Sequence, residues 1–192
     1  VRSRGLGDVY KRQHTKKGAT TIMLSEKVAA LLNEQVNKEF YSAYLYLDFS
    51  NYFEARGLDG FANWYKIQAQ EERDHAMLFY QYLHNNNAKV TLGAIAQPDK
   101  VLDSDMTVLK AGLEHEIYVT GLINTIYAAA YEEKDFRTMQ FLDWFVKEQG
   151  EEEDNANDLI SKMELFGSDP KSLYMLNSEL AGRVYNAPSL VL

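Results

Sequence analysis

Residues 68–75 read QAQEERDH, and the rest of the chain is best interpreted from this stretch. Glu72 and His75 stand three positions apart, so on a helix they project from one face, one above the other. The other residues at helical spacing on that face are mostly apolar or aromatic: Phe61, Tyr65, Gln68, Phe79 and Tyr82. Burying an ionised carboxylate costs several kcal/mol unless something pairs with it. A divalent metal ion would supply the missing positive charge.

The apolar periodicity predicts four long helices. Their expected bounds are about 25–54, 60–86, 105–133 and 135–167. Ser25 is suited to cap the first helix and Gly57 to end it, while Asp103 or Ser104 caps the third. Helices joined by short links are antiparallel neighbours, which applies to the first and second and to the third and fourth.

Residues 88–103 (AKVTLGAIAQPDKVLD) interrupt the helical period, and Val90 and Leu92 alternate as in a short strand. Extended, the segment spans roughly 50 Å, whereas a helix of about 27 residues is roughly 40 Å long. It can therefore cross the whole bundle, so that helix three runs parallel to helix two. Ser168-Asp169-Pro170 begins a short fifth helix, which Gly182 ends.

The predicted fold is therefore all-α, a four-helix bundle with a long crossover between helices two and three and a short fifth C-terminal helix. The chain divides into a basic leader at 1–22, the bundle at 23–167, the fifth helix at 168–182 and a tail at 183–192. The leader carries six Lys and Arg against Asp8 alone. We expect a foreign or non-functional leader, with Met23 the natural start, or else a truncated transit peptide or a basic arm.

Each of the four long helices carries one glutamate on its apolar side: Glu39, Glu72, Glu116 and Glu152. Counted from the predicted helix ends, the four lie level within about one turn. Four carboxylates at one level would repel strongly, and two divalent cations would balance their charge. Oxygen ligands with one imidazole suit iron, manganese or zinc, and open coordination positions favour iron that reacts with dioxygen.

Several neighbours of this layer have two interpretations each. Tyr46, one heptad after Glu39, is either a buried tyrosine that needs a hydrogen bond or an electron donor beside the metals. Gln149 is either a neutral outer ligand or a hydrogen-bonding residue of the bundle. Three glutamates beside the layer form either a third, looser cation position or a solvated acidic face: Glu71, Glu148 and Glu151.

Composition excludes several classes of function. The net charge is −8 and the pI about 5.0, which argues against general nucleic-acid binding. The chain has no cysteine, so disulfides, thiolate metal sites and iron–sulfur clusters are excluded. No apolar run reaches the length of a membrane-spanning helix.

His14, His84 and His115 show no ligand pattern. Gly150 is predicted to lie in the middle of helix four, where glycine costs about 1 kcal/mol of helix stability relative to alanine.

Taken together, four stretches resemble the ferritin family, specifically the haem-free ferritins of bacterial type, over about 23–182. They are LNEQVNKEFYSAYLYL (32–47), QAQEERDH (68–75), HE (115–116) and FLDWFVKEQGEEE (141–153). The resemblance implies a ferroxidase in which dioxygen oxidises two Fe(II). It also implies storage of the ferric product as a mineral inside a shell of about twenty-four subunits, and a cytoplasmic protein, or a plastid one if residues 1–22 are a truncated transit peptide.

The same resemblance assigns roles to individual residues. Glu39, Glu72 and His75 match one iron site, and Glu72 bridges to a second site that Glu116 and Glu152 match. Gln149 lies beside that second site, and Tyr46 matches a tyrosine near the metals. The glutamates that match a third iron position are Glu71, Glu148 and Glu151.

One departure separates this chain from the haem-bearing bacterioferritins and the rubrerythrin-like enzymes. Proteins of those two groups have a second E-x-x-H motif on helix four. At the matching positions this chain has Gln149-Gly150-Glu151-Glu152. No haem is therefore expected. Two alternatives stay open: a non-catalytic helical bundle that acts as an interaction module, and a di-iron oxidase whose organic substrate needs a pocket.

Overall fold

The structure is a computed structural model, and it describes residues 23–192. In this range the chain forms five helices and no strand: α1 Glu26–Ala55, α2 Asp59–Asn85, α3 Asp105–Glu132, α4 Phe136–Phe166 and α5 Pro170–Leu180. The predicted all-α bundle with a short fifth helix is confirmed. The expectation for 1–22 lies outside the described residues. Within 23–192, every helix is too short or too polar to cross a membrane.

Side-chain caps begin four of the five helices. In each, an oxygen accepts a hydrogen bond from the backbone N–H three residues further on, which satisfies a donor that the helix leaves free. The capping residues are Ser25, Ser104, Asp135 and Asp169. The sequence predicts the caps at Ser25 and Ser104. Asp135 also accepts a hydrogen bond from the Thr138 hydroxyl.

Helix α1 ends in a tight backward turn at Gly57, as its sequence predicts. Gly57 has φ +70°, a conformation that glycine adopts without strain. The Leu58 N–H donates to the Phe53 carbonyl and the Gly57 N–H to the Glu54 carbonyl, both at 3.0 Å. This is a Schellman motif, and it returns the chain at once into the antiparallel α2.

Ion pairs at the two ends of the bundle show in which direction each helix runs. Lys27 at the start of α1 is 2.8 Å from Glu132 at the end of α3, and Arg56 after α1 is 2.6 Å from Asp105 at the start of α3. Helix α1 is therefore antiparallel to α3 as well as to α2. It follows that α2 and α3 run parallel, as the long crossover predicts.

The crossover between α2 and α3 lies along α1. Asn33 supplies both bonds that a strand partner would give: its amide nitrogen donates to the Thr91 carbonyl at 3.0 Å, and its oxygen accepts from the Thr91 N–H at 2.8 Å. The short strand suggested by Val90 and Leu92 is wrong, because the backbone here pairs with a side chain.

A polar layer divides the apolar core into two halves. One half contains Val36, Phe79 and Phe145, and the other contains Phe49 and Leu109. The buried side chains between these halves include one glutamate from each long helix: Glu39, Glu72, Glu116 and Glu152. Because the layer crosses all four long helices, it is held by both halves of the core.

Helix α5 docks against the start of α2 through Asn177. The Asn177 side-chain oxygen accepts from the Gly60 N–H at 2.8 Å, and a Cβ at position 60 would lie 1.7 Å from the Asn177 carbonyl oxygen. Only glycine permits this approach. The docking of α5 sets the course of the residues that follow it.

Candidate metal centre

The buried polar layer contains one glutamate from each long helix, together with His75. Glu39 lies on α1, Glu72 and His75 on α2, Glu116 on α3 and Glu152 on α4. Their exposed fractions are 1%, 2%, 2%, 3% and 6%, in that order. Side chains that are normally ionised are seldom buried to this degree without a partner.

Glu39, Glu72 and His75 form a set of candidate metal ligands. One ligand atom from each lies within 4.8 Å of the other two, and His75 Nδ1 is 3.4 Å from a Glu72 oxygen. Gln35 donates to Oε1 of Glu39 at 2.8 Å. The buried Oε2 of Glu39 has no hydrogen-bond partner among the described residues. The geometry of this set suits a divalent cation.

Glu116 and Glu152 form a second group, and neutral donors hold them in place. The Tyr46 hydroxyl donates to Oε1 of Glu116, and Gln149 donates to Oε2 at 3.1 Å. Gln68 donates to Oε2 of Glu152 at 2.6 Å. These donors orient the carboxylates without neutralising them.

The carboxyl groups of both sets hold protons more tightly than usual. Burial raises the pKa of Glu39 to about 8, of Glu116 to about 7 and of Glu152 to about 8. Burial, followed by the charges of Glu116 and Glu152, raises the pKa of Glu72 well above its ordinary value. Glu72 therefore feels the charges of the second set as well as belonging to the first. A cation that binds here must displace protons from these carboxyl groups.

Tyr46 is kept as a protonated donor. Burial, and then the neighbouring charge of Glu116, raises its pKa well above the ordinary value for tyrosine. Its ring stacks on that of Tyr65 at 5.7 Å and meets the His115 ring edge-on at 5.7 Å. The hydroxyl thus has a fixed position at the edge of the second set.

The three glutamates considered for a third cation position are in different surroundings. Glu71 is 2.6 Å from Arg183, and the exposed Glu151 is 2.9 Å from Lys147. Glu148 is 3.9 Å from His75 Nε2. In the described part of the chain, these three carboxylates do not converge as the ligand atoms of the first set do.

Sequence reasoning missed four polar residues around the layer. Gln35 and Gln68 hold carboxylates, and their position on the same helical face as Glu39 and Glu72 could have indicated this role. His115 is buried, with Nε2 2.7 Å from the Ser42 hydroxyl, and burial lowers its pKa to about 4.

Arg183 is the fourth missed residue. No periodicity marks it, because it follows α5 and reaches α2 only through tertiary packing.

The fold and this layer together define a class: helical bundles that present a carboxylate-rich metal site from their core-facing sides. The family model for the ferritin-like domain matches residues 29–166. The chain belongs to the ferritin family.

Individual relatives agree with that membership. A bacterial non-heme ferritin from Campylobacter jejuni is 39% identical over 153 residues, covering 80% of this chain and 92% of the relative. A probable bacterial non-heme ferritin-like protein from Haemophilus influenzae is 36% identical over 158 residues, covering 82% and 96%. The open-pore ferritin from Archaeoglobus fulgidus superposes with a TM-score of 0.82 at 41% identity, covering 85% and 100%. The resemblance to haem-free bacterial ferritins is therefore confirmed.

Proposed function

We propose that the protein stores iron and oxidises Fe(II) with dioxygen at a centre for two iron ions within each chain. Glu39, Glu72 and His75 bind one Fe(II). Glu72 bridges to the second, which Glu116 and Glu152 bind. Iron is here the substrate and the cargo, and the ferric product is kept as a mineral inside a homo-oligomeric shell of about twenty-four chains.

The observation that carries this proposal is the buried oxygen of Glu39 that lacks a hydrogen-bond partner among residues 23–192. A buried acceptor without a partner costs about 1–3 kcal/mol, so a fold retains one where a ligand completes it. Glu39 is also a member of the set with Glu72 and His75, in which one ligand atom from each residue lies within 4.8 Å of the others. Two Fe(II) would bring four positive charges to four buried carboxylates, and oxygen donors with one imidazole suit iron.

The chain's own groups prepare the site for this reaction. The raised pKa values mean that entering Fe(II) displaces protons from the carboxyl groups, which then bind as anions. Tyr46 and Gln149 keep the Glu116 carboxylate oriented, and Gln68 does the same for Glu152. The two Fe(II) supply two electrons, one each, and with two protons these reduce dioxygen to hydrogen peroxide.

The cavity at the second carboxylate group favours a small inorganic substrate over an organic one. The cavity that reaches Tyr46, Glu116 and Glu152 has a volume of about 20 Å³, which is room for one water molecule. A larger cavity of about 330 Å³ beside His75 is lined by Glu71 and Glu148. Carboxylates at such an entrance attract cations. A purely structural bundle would have no use for the buried carboxylates.

Glu72→Gln tests the proposal, because it keeps the shape of the bridging side chain and removes its charge. After addition of Fe(II) in air, we expect the fast phase of oxidation to slow about tenfold or more, which corresponds to a rise of about 1.4 kcal/mol or more in the activation free energy. Glu132→Gln is the control, since Glu132 is exposed and pairs with Lys27. An unchanged fast phase in Glu72→Gln would refute the assignment. Iron analysis of the large species on size exclusion should show soluble mineral.

A further inference from the structure

Residues 183–192, which we term the strap, lie across the side of the candidate metal centre between α2 and α4. The Tyr185 hydroxyl donates to Asp74 on α2. The Trp144 indole N–H on α4 donates to the Ser189 hydroxyl at 3.0 Å. The strap therefore bridges the two helices that carry the glutamates considered for a third cation.

Arg183, at the start of the strap, is held on four sides. Its guanidinium is 2.6 Å from Glu71 and donates to the Gln68 side-chain oxygen at 2.9 Å and to the Trp64 carbonyl at 3.2 Å. It also lies over the Trp64 ring, 4.2 Å from the centroid. The side chains of Arg183 and Glu71 are only 16% and 15% exposed. A charge so enclosed is a fixed part of the site.

The Arg183 guanidinium lines the same cavity of about 330 Å³ as Glu71, Glu148 and Glu151. Glu71 has a charge-assisted partner there, and such a bond is stronger than one between neutral groups. A third divalent cation at this position would have to displace Arg183 or bind without Glu71. Both routes are disfavoured by the repulsion between the cation and the guanidinium.

Arg183 also reaches the second set of ligands through Gln68. An amide has one acceptor end and one donor end. Because Arg183 donates to the oxygen of Gln68, the Gln68 nitrogen is turned towards Glu152, to which it donates at 2.6 Å. Arg183 thereby orients Glu152 without touching a bound ion.

We propose that Arg183 occupies the place of a third cation, so that each chain binds two divalent ions rather than three, and that it is a positioning residue for Glu152 through Gln68. This inference rests on the proposed two-ion centre. It goes further because it assigns control over the number of bound ions to a residue outside the bundle.

Binding of Zn(II) tests the inference without any oxidation step. Isothermal titration under argon, with intact assembled protein, should give two tight Zn(II) per chain. Arg183→Gln should give three, and Arg183→Lys, which keeps a cation beside Glu71, should give two. Arg56→Gln removes a comparable ion pair with Asp105 at the far end of α1, and it should leave two.

The outcomes separate the two proposals. Fewer than two tight Zn(II) in the unaltered protein would overturn the two-ion centre and the role of Arg183 with it. Two in the unaltered protein and two in a folded Arg183→Gln would overturn the role of Arg183 alone. If Arg183→Gln does not fold, Glu71→Gln is compared with the unaltered protein. The number of tight Zn(II) per chain should be two in both. Three in the unaltered protein, falling to two in Glu71→Gln, would make Glu71 a ligand and refute the inference.

Discussion

The Gln35 amide donates a hydrogen bond of 2.8 Å to one oxygen of Glu39, while the second buried oxygen of Glu39 has no partner within 23–192. The two residues lie one turn apart on α1, so Gln35 fixes the rotation of the carboxylate. Glu39 belongs to the set that includes Glu72 and His75. Local helix geometry thus orients the Glu39 carboxylate within the single chain.

Glu39→Gln should therefore remove one of the two cations. The amide keeps the volume of the side chain but offers only one acceptor and no negative charge. We expect tight Zn(II) binding to fall from two ions per chain to one. Glu34→Gln is the matched control, because Glu34 lies on the same helix, is 64% exposed and pairs only loosely with Lys38 at 3.8 Å. Two tight ions in Glu39→Gln would exclude Glu39 as a ligand.

The metal-free protein should lose stability as the pH rises. The folded pKa values of Glu39, Glu116 and Glu152, about 8, 7 and 8, lie above the ordinary 4.5. A raised folded pKa means that the contribution is fully present below pH 4.5 and is lost as the pH rises through 7 and 8. The free energy of unfolding should therefore fall over this pH range.

Guanidinium unfolding of the metal-free protein at pH 6 and pH 9 checks this fall. The midpoint should be lower at pH 9, and saturating Zn(II) should abolish the difference because the bound carboxylates are ionised at both pH values. An equal or higher midpoint for the metal-free protein at pH 9 would show that the carboxyl groups ionise without cost.

Tyr46→Phe should weaken the second site while leaving the first intact. The substitution removes the hydroxyl that donates to Glu116, and a hydrogen bond to a charged group contributes about 1.5–3 kcal/mol. We expect two Zn(II) per chain still to bind, the weaker of them about tenfold less tightly. Tyr65→Phe removes a hydroxyl from the adjoining ring and should not change either affinity. Equal affinities in Tyr46→Phe and the unaltered protein would leave electron donation as the remaining role for Tyr46.

The elements that sequence predicts well here are those set by local rules. The seam positions of Glu39, Glu72, Glu116 and Glu152 follow from helical periodicity, so their burial could be inferred before the structure was known. The direction of α3 followed from the length of the crossover alone. Helix ends agreed to within about a residue because caps and the Schellman turn at Gly57 are short-range features.

The parts that sequence did not predict depend on tertiary packing. Arg183 is 112 positions from Glu71, and nothing in the local pattern relates the two. The strand suggested by Val90 failed because Asn33, far away in sequence, supplies the partner for the crossover backbone. His115 looked unremarkable because its contact with Ser42 lies between different helices.

Two glycines should respond in opposite ways to alanine. A Cβ at Gly150, in the middle of α4, meets no atom of residues 23–192 within 4 Å, and nothing in this part of the structure explains glycine there. Gly150→Ala should raise the free energy of unfolding by about 0.4–1 kcal/mol, because alanine restricts the unfolded chain and favours the helix. Gly60→Ala should instead lower it by about 1–3 kcal/mol or more, because the new Cβ would overlap the Asn177 carbonyl and push α5 away from α2. Denaturant midpoints of the metal-free variants measure both. A loss of stability in Gly150→Ala would contradict this expectation, since residues 23–192 of the single chain leave room for the methyl group.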